Sequence, residues 1–203
     1  MEAIMRPAHF AAGTPIFDEG EAADYRFNVI SGSVKIYKLM SDGRRQIVGF
    51  LFPGDFLGLS QSEVYAYSAE SMTATELCRF SHASLENLVN RIPALERRFL
   101  GVAVNELAVA QDQMLLLGRK TAMEKVASFL LMLSKRARER GQAENPILMP
   151  MTRSDLGDYL GLTMETVSRT MSQLKADGVI AQLPGSKLDL KNFEALYDLA
   201  EGA

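Results

Sequence analysis

The sequence has 203 residues, of which 47% are apolar and 23% are charged, and its net charge is −3. This composition is typical of an ordinary globular protein and excludes a disordered or fibrous chain. No apolar run approaches the roughly 18 residues of a membrane-spanning helix, and no signal peptide is recognisable, so we expect a cytoplasmic protein without a membrane partner. A single cysteine, Cys78, excludes an internal disulfide and a metal or iron–sulfur site built from cysteines alone.

Charge is distributed unevenly along the chain. Residues 1–117 carry ten basic and fourteen acidic side chains, whereas residues 118–188 carry eleven basic and seven acidic ones. A modest positive balance in the second half permits a polyanion as partner but does not require one.

Residues 8–82 predict a series of short strands in an antiparallel barrel or sandwich, because turn-forming glycines recur at short intervals between β-prone segments. The clearest predicted strands are Arg26–Ile30, Ser33–Leu39 and Gln46–Phe52. In the second of these, alternation from Val34 to Tyr37 predicts a half-buried strand with Lys35 and Tyr37 on its outer face. Asp42-Gly43 predicts the hairpin turn that follows.

Two helices are predicted next, a short one from Ser84 to Asn90 and a long one from Ala94 to Leu117. Apolar residues in the long helix recur at alternating steps of three and four, which is the pattern of a two-stranded coiled coil. Packing against the chain's own domain is the alternative, and we favour a two-fold dimer seam. The predicted seam residues are Leu100, Ala103, Leu107, Ala110, Met114 and Leu117.

Gly118 predicts the end of the long helix, and the capping box Thr121-Ala-Met-Glu124 predicts the start of another that runs to about Arg140. A loop at 141–146 follows. The remaining predicted elements are helices capped by Thr152 and Thr163, strands at 179–183 and 187–190, and a helix at 192–199.

Residues 151–179 predict a helix-turn-helix, the motif whose second helix enters the major groove of DNA. The predicted apolar face that holds the two helices together consists of Leu156, Leu160, Leu162, Val167 and Met171. Gly157 provides a small contact where the helices cross, and Gly161 occupies the turn, where a positive φ costs glycine little.

Three side chains on the second helix, Glu165, Ser168 and Arg169, are predicted to share one exposed face. Glutamate accepts from cytosine N4, and arginine can bind guanine O6 and N7 together. An isolated Glu–Arg pair at this spacing is usually a solvated ion pair worth about 0.3 kcal/mol. We favour base reading because the pair lies in a helix-turn-helix followed by a predicted strand pair. Flanking residues that could hold phosphates are Arg153, Ser154, Thr163, Thr166 and Lys175.

Four segments carry a resemblance to a known family: Phe10–Gly20, Ile30–Ile36, Phe52–Gly58 and Leu156–Arg169. Over about residues 8–190 the chain resembles the CRP/FNR superfamily of bacterial transcription regulators. The resemblance implies an α+β fold with an antiparallel β-roll like that of cyclic-nucleotide-binding domains at residues 1–92. It further implies a long dimerisation helix at 93–118 and a winged helix-turn-helix DNA-binding domain at 119–203. The implied partners are double-stranded DNA, a second copy of the chain, and RNA polymerase at the loops 141–146 and 41–45.

Departures from the cyclic-nucleotide-binding branch point away from control by cAMP. In that branch a glutamate follows the glycine at position 58 and an arginine precedes the serine at position 68, but here those positions hold Leu59 and Tyr67. A cyclic phosphate would lose its bidentate guanidinium contact. The two histidines, His9 and His82, stand in no recognisable haem motif. We therefore expect no cofactor and no metal.

The recognition-helix pattern Glu165-Thr-Val-Ser-Arg169 resembles that of FNR and FixK. FNR carries an iron–sulfur cluster near its N-terminus, whereas this chain has no cysteine before Cys78. The chain is therefore most similar to the FixK-like branch. That resemblance implies an activator that reads palindromes of TTGAT-like half-sites in microaerobic and nitrogen-fixation control.

Alternatives remain open at this point. A small molecule or haem could bind in the β-roll near residues 57–68, where Tyr65 and Tyr67 offer stacking surfaces, or Cys78 could respond to redox state. Packing is the simpler role for all three side chains. No nucleophile–base pair, metal-ligand cluster or phosphate loop is recognisable, so we do not expect an enzyme. Target genes, the activating signal and the sign of regulation are not readable from the sequence.

Overall fold

The computed structural model describes residues 5–58 and 62–202, and the chain divides into one unit up to Val109 and another from Ala110 onward. This division falls inside the long helix and coincides with neither predicted boundary, so the three-part division at 92 and 118 stays a prediction. Within the described residues, no helix combines the length and the apolarity that crossing a bilayer requires.

The first unit contains two four-stranded antiparallel sheets, with strand orders β1-β8-β3-β6 and β2-β7-β4-β5. Its strands are β1 (Met5–Phe10), β2 (Pro15–Phe17), β3 (Tyr25–Ser31), β4 (Val34–Leu39), β5 (Arg45–Leu51), β6 (Phe56–Leu57), β7 (Ser68–Ser71) and β8 (Thr75–Ser81). Val29 and Leu77 from the first sheet pack in one core with Val34 and Ala69 from the second, and all four are at most 1% exposed. The core therefore lies between the sheets, and the predicted antiparallel β domain is confirmed.

Strand β4 is more buried than predicted. Lys35 and Tyr37, which we expected on an outer face, are only 7% and 8% exposed. The Lys35 ammonium lies 2.9 Å from the Glu70 carboxylate of β7, and the Arg45 guanidinium lies 5.5 Å from the centre of the Tyr37 ring. The prediction of a half-buried strand was wrong because long charged side chains from the neighbouring strands cover the second face.

The predicted hairpin between β4 and β5 is confirmed. Gly43 has a φ of +83°, and the Met40 N–H donates to the Arg44 carbonyl at 2.8 Å. Glycine is needed at this turn because the left-handed backbone is strained for other residues.

Helices α1 (His82–Arg91) and α2 (Pro93–Arg119) follow the sheets. Helix α1 begins two residues earlier than predicted because Ser81 caps it, accepting from the Ser84 N–H at 3.2 Å. Helix α2 spans 27 residues and confirms the predicted long helix. In its first turns, the Phe99 ring contacts Phe56 edge-on, with 5.2 Å between the ring centres.

The second unit contains the end of α2 and a small helical domain with one sheet. Its further elements are α3 (Ala122–Glu139), β9 (Ile147–Leu148), α4 (Arg153–Leu160), α5 (Met164–Ala176), β10 (Ile180–Leu183), β11 (Lys187–Leu190) and α6 (Phe193–Glu201). The predicted capping box at Thr121 and Glu124 is confirmed. Strand β9 was not predicted; it completes a sheet of order β10-β11-β9, and two residues are too few to produce a periodic pattern.

Candidate nucleic-acid interface

Local hydrogen bonds build the helix-turn-helix of α4 and α5. The Asp155 N–H donates to Thr152 Oγ1 at 3.0 Å, while the Thr152 N–H donates to the Asp155 carboxylate at 2.9 Å. The Thr166 N–H donates to Thr163 Oγ1 at 3.1 Å and so caps α5. Between the helices, Gly161 takes the left-handed conformation with a φ of +64°. Both predicted N-caps and the predicted turn are confirmed.

A glycine sets how closely the two helices approach. A Cβ at Gly157 would lie 2.6 Å from the carbonyl oxygen of Leu162, which is closer than any side chain tolerates. Beneath this contact, the predicted apolar face is buried at Leu156, Leu160, Val167 and Met171, each at most 1% exposed. The packing therefore fixes which face of α5 is turned outward.

The three predicted base-reading residues lie on that outward face. Glu165 and Arg169 are exposed and Ser168 is half-buried. Within the part of the chain that the structure describes, neither the Glu165 nor the Arg169 side chain forms an ion pair or hydrogen bond. The two charged groups, four residues apart, are thus not paired with each other. Both charged groups can bind an external partner without first breaking an internal contact.

Met164, the first residue of α5, was not predicted as part of this surface. It is 59% exposed, next to the Thr163 cap and one turn before Ser168. Its place directly after the predicted cap Thr163 could have indicated this exposure from the sequence. Its thioether chain adds an apolar contact group to an otherwise polar face.

The predicted phosphate-binding residues differ in their environments. Ser154 and Lys175 are exposed, whereas Arg153 is half-buried, and this burial lowers the pKa of its guanidinium. The hydroxyls of Thr163 and Thr166 lie 2.9 Å apart. One hydroxyl of this pair donates to the other, so the pair retains a single proton for an external acceptor.

Helix α2 carries a row of uncovered apolar side chains. Of the six predicted seam residues, five are exposed: Leu100, Ala103, Leu107, Ala110 and Met114. The sixth, Leu117, is half-buried, because its Cδ2 packs beside Gly161, 3.3 Å from where a Cβ at that glycine would lie. Val104 and Leu115, which we did not predict in the seam, are 60% and 58% exposed.

Aromatic rings of the β-roll pack against one another. The Tyr65 ring stacks on Phe17 with 3.6 Å between ring centres, and the Tyr65 hydroxyl donates to the Tyr25 carbonyl at 2.9 Å. The Tyr67 hydroxyl accepts from the Gly58 N–H at 3.0 Å, and burial raises the pKa of Tyr67. These contacts favour packing as the role of both tyrosines.

Tyr67 and Arg26 lie where the sequence argument against a cyclic nucleotide can be compared with the structure. The position where the resemblance places a phosphate-binding arginine holds the neutral phenol of Tyr67, which offers no charge to a phosphate. The nearby Arg26 is only 2% exposed, and its Nη1 donates to the carbonyls of Ala23 and Tyr25 at 2.6 and 3.1 Å. Arg26 is therefore a structural cation, which no sequence motif indicated. Leu59 lies outside the described residues.

Cys78 is half-buried in β8, paired with Pro7 of β1 and Asn28 of β3. Burial, and to a lesser degree the nearby Glu76, raise the pKa of its thiol, so little of it is thiolate at neutral pH. Both His9 and His82 are exposed. Among residues 5–58 and 62–202, no group of three or more His, Cys, Asp or Glu side chains is placed to hold a metal ion.

Comparison with known families identifies both units. Residues 7–92 match the cyclic nucleotide-binding domain, and residues 124–199 match the Crp-like helix-turn-helix domain. The second match contains all of α4 and α5, so it covers the predicted base-reading residues.

Individual proteins resemble nearly the whole chain. The nitrogen fixation regulation protein FixK of Bradyrhizobium diazoefficiens is 44% identical, over 96% of this chain and 83% of its own length. The transcriptional activatory protein AadR of Rhodopseudomonas palustris is 40% identical, over 96% and 82%. The structure of FixK2 from Bradyrhizobium japonicum superposes with a TM-score of 0.90 at 38% identity, covering 97% of this chain and 98% of that one.

We predict that Gly157→Ala destabilises the protein by about 1–3 kcal/mol, because the new methyl group collides with the backbone at Leu162. Gly101→Ala is the matched control: this glycine lies inside α2 with open space for 4 Å around the place of a Cβ, and alanine favours the helix by up to about 1 kcal/mol. Thermal unfolding followed by circular dichroism should therefore give opposite shifts. A stable Gly157→Ala protein would contradict the close helix crossing.

We predict that Cys78→Ser binds DNA within about twofold of the wild type, because a half-buried thiol with a raised pKa is mainly a packing group. The variant has no thiol, since Cys78 is the chain's one cysteine. DNA affinity is measured for both proteins with and without peroxide. A peroxide response of the wild type that the variant lacks would instead establish redox control.

Proposed function

The chain belongs to the CRP/FNR family of transcription regulators, in its FixK-like branch, and we propose that it reads a palindrome of TTGAT-like half-sites as a homodimer and activates transcription. It is a DNA-binding regulator and not an enzyme. The observation that carries the proposal is the outward face of α5, where Glu165, Ser168 and Arg169 are accessible and the two charges are unpaired.

Each of the three side chains has a definite role in the proposed half-site. Arg169 binds O6 and N7 of the guanine in TTGAT, and Glu165 accepts from the N4 amino group of a cytosine on the opposite strand. Ser168, between them, donates to or accepts from a neighbouring base edge. This division matches the donor and acceptor pattern that the major groove presents.

Met164 contributes an apolar contact. The half-site contains thymines, whose C5-methyl groups are the one apolar feature of the major groove. An exposed methionine at the first position of the recognition helix suits such a methyl group, because the thioether chain is flexible and polarisable.

Backbone contacts orient the recognition helix. Ser154 and Arg153 at the N-terminus of α4 and Lys175 at the end of α5 supply donors and positive charge to phosphates. The Thr163–Thr166 hydroxyl pair supplies one further donor. These groups position the helix without reading sequence.

The exposed row of α2 supports pairing of two copies. Leu100, Val104, Leu107 and Met114 follow the steps of four, three and seven that keep one helix face toward a partner. The alanines among them let two helix backbones approach closely. Residues 93–118 then act as the dimerisation helix between a β-roll at 1–92 and a DNA-binding domain at 119–203, with the recognition helices about 34 Å apart on one face of DNA.

We further propose that DNA binding needs no cofactor or small-molecule effector. The stacked Phe17–Tyr65 pair and the buried Arg26 support this, because these side chains are engaged in contacts within the protein itself. Since a transcription regulator works on the chromosome, we propose the cytoplasm as its location.

Activation requires a contact with RNA polymerase, for which we propose the loop 141–146 and the hairpin 41–45. Both are largely exposed, and each is held by an ion pair, Arg138–Glu144 at 3.2 Å and Arg44–Asp42 at 2.8 Å. The names of its relatives support a role in nitrogen fixation, and the branch supports microaerobic control.

The decisive experiment selects DNA from a random pool with purified protein and no added ligand, and we expect TTGAT-N4-ATCAA-like sequences. Arg169→Ala should weaken specific binding about 30-fold or more, because each copy of the homodimer loses a bidentate base contact worth about 1–3 kcal/mol. Weak, salt-sensitive binding should remain. Arg91→Ala, which removes the same charge from the end of α1, should bind like the wild type.

Other results would contradict the proposal in distinguishable ways. Unchanged specific affinity of Arg169→Ala would show that α5 does not read the bases. Enrichment of a sequence only after a cyclic nucleotide, haem or 2-oxoglutarate is added would establish an effector-gated regulator instead.

We predict that Leu107→Glu is monomeric at micromolar concentration, because it places like charges opposite each other in the proposed seam. Asn105→Glu introduces the same charge at an exposed position of α2 outside the row, and it should remain dimeric. Analytical ultracentrifugation gives both masses. A wild-type monomer, or a dimer that survives Leu107→Glu, would contradict this seam.

A further inference from the structure

The end of helix α2 supplies a donor to the end of helix α4. Gln113 Nε2 donates to the Tyr159 carbonyl at 2.9 Å. Tyr159 is in the last turn of α4, where backbone carbonyls have no donor within their own helix. A side chain of α2 thus serves as an external cap of the first helix of the helix-turn-helix.

A second cap of the same kind lies just beyond the end of α2. Lys120 Nζ donates to the Ala200 carbonyl in the last turn of α6 at 2.8 Å and to the Ser128 hydroxyl of α3 at 2.7 Å. A cation at a helix C-terminus also interacts favourably with the helix dipole. Residues around the end of α2 therefore cap two separate helices of the DNA-binding unit.

Apolar contacts accompany the two caps. Leu116 is 9% exposed, and Leu117 packs beside Gly161 in the turn of the helix-turn-helix. The face of α2 that carries Gln113, Leu116 and Leu117 is thus joined to the turn that precedes α5, while Met114 stays exposed at 69%. Neither cap is needed to form α5 itself, whose own cap is Thr163.

We propose that Gln113 and Lys120 are positioning residues that fix the direction of α5 relative to the proposed seam and thereby select the spacing between half-sites. This inference rests on the proposed homodimer. Each base pair inserted between half-sites moves them apart by about 3.4 Å and rotates them by about 35° around the DNA axis. A recognition helix held rigidly to the part of the proposed seam in its own unit, Ala110 and Met114, would reject such a change.

The test measures affinity for TTGAT palindromes with spacers of three, four and five base pairs. We expect Gln113→Met and Lys120→Met to lower the wild-type preference for four base pairs about two- to tenfold, the range that one net hydrogen bond contributes. Gln113→Glu should lower it further, because it places a carboxylate against the negative end of α4. Lys120→Arg, which keeps a cation, should retain the preference.

Controls separate positioning from folding. Asn105→Met removes an exposed amide from α2 outside these contacts and should keep the wild-type preference. Affinity for a single half-site and the unfolding temperature are measured for every variant. A purely structural role would change these two quantities without changing the relative affinities for the three spacers.

The outcomes are distinct. The inference is overturned if the methionine variants keep the preference for a four-base-pair spacer. It is also overturned if they lose this preference only because they unfold. Neither result affects the proposed function. A wild-type protein that binds all three spacers equally overturns the proposed palindrome, and the inference with it. The inference is supported if the folded, dimeric methionine variants show a smaller ratio of affinity for the four-base-pair spacer to affinity for the other two spacers.

Discussion

The close approach of Gly157 to the Leu162 carbonyl is the constraint on which the DNA-binding unit depends. The absence of a side chain lets the start of α5 lie directly against α4, with only 2.6 Å between the carbonyl oxygen and the place of a Cβ. Val167 and Met171 then become the buried face of α5. Once that face is fixed, the geometry of a helix leaves Glu165 and Arg169 no other direction than outward.

Two faces of helix α2 have different surroundings. One face leaves Leu100, Leu107 and Met114 uncovered, and another buries Leu116 and donates from Gln113 to the end of α4. In the proposed function, one helix therefore takes part both in joining two copies and in contacting the helix-turn-helix.

Features that depend on residues close in the chain could be predicted from the sequence. The caps at Thr121, Thr152 and Thr163 and the turn at Gly161 each involve partners within four residues, and all were predicted. The exposed face of α5 followed from the same local periodicity. Which bases it contacts, and whether two copies pair, stay predictions.

Features that depend on distant residues could not be predicted. The burial of Lys35 requires Glu70 from another strand, and strand β9 exists through its pairing with β11. Arg26 is stabilised in the interior by backbone carbonyls, to which a sequence motif gives no clue. The hydrogen bond from Gln113 could not be predicted for the same reason, because its acceptor, the Tyr159 carbonyl, is 46 positions away in the chain.

Because of the uncovered apolar row of α2, the stability of the proposed homodimer depends on the concentration of the protein in the cell. In the proposed homodimer, folded copies gain stability by association, so their resistance to proteolysis rises with the number of chains in the cell. Under the proposed function, the rate of synthesis therefore controls the amount of active dimer in addition to any signal, and low expression leaves the chains unpaired.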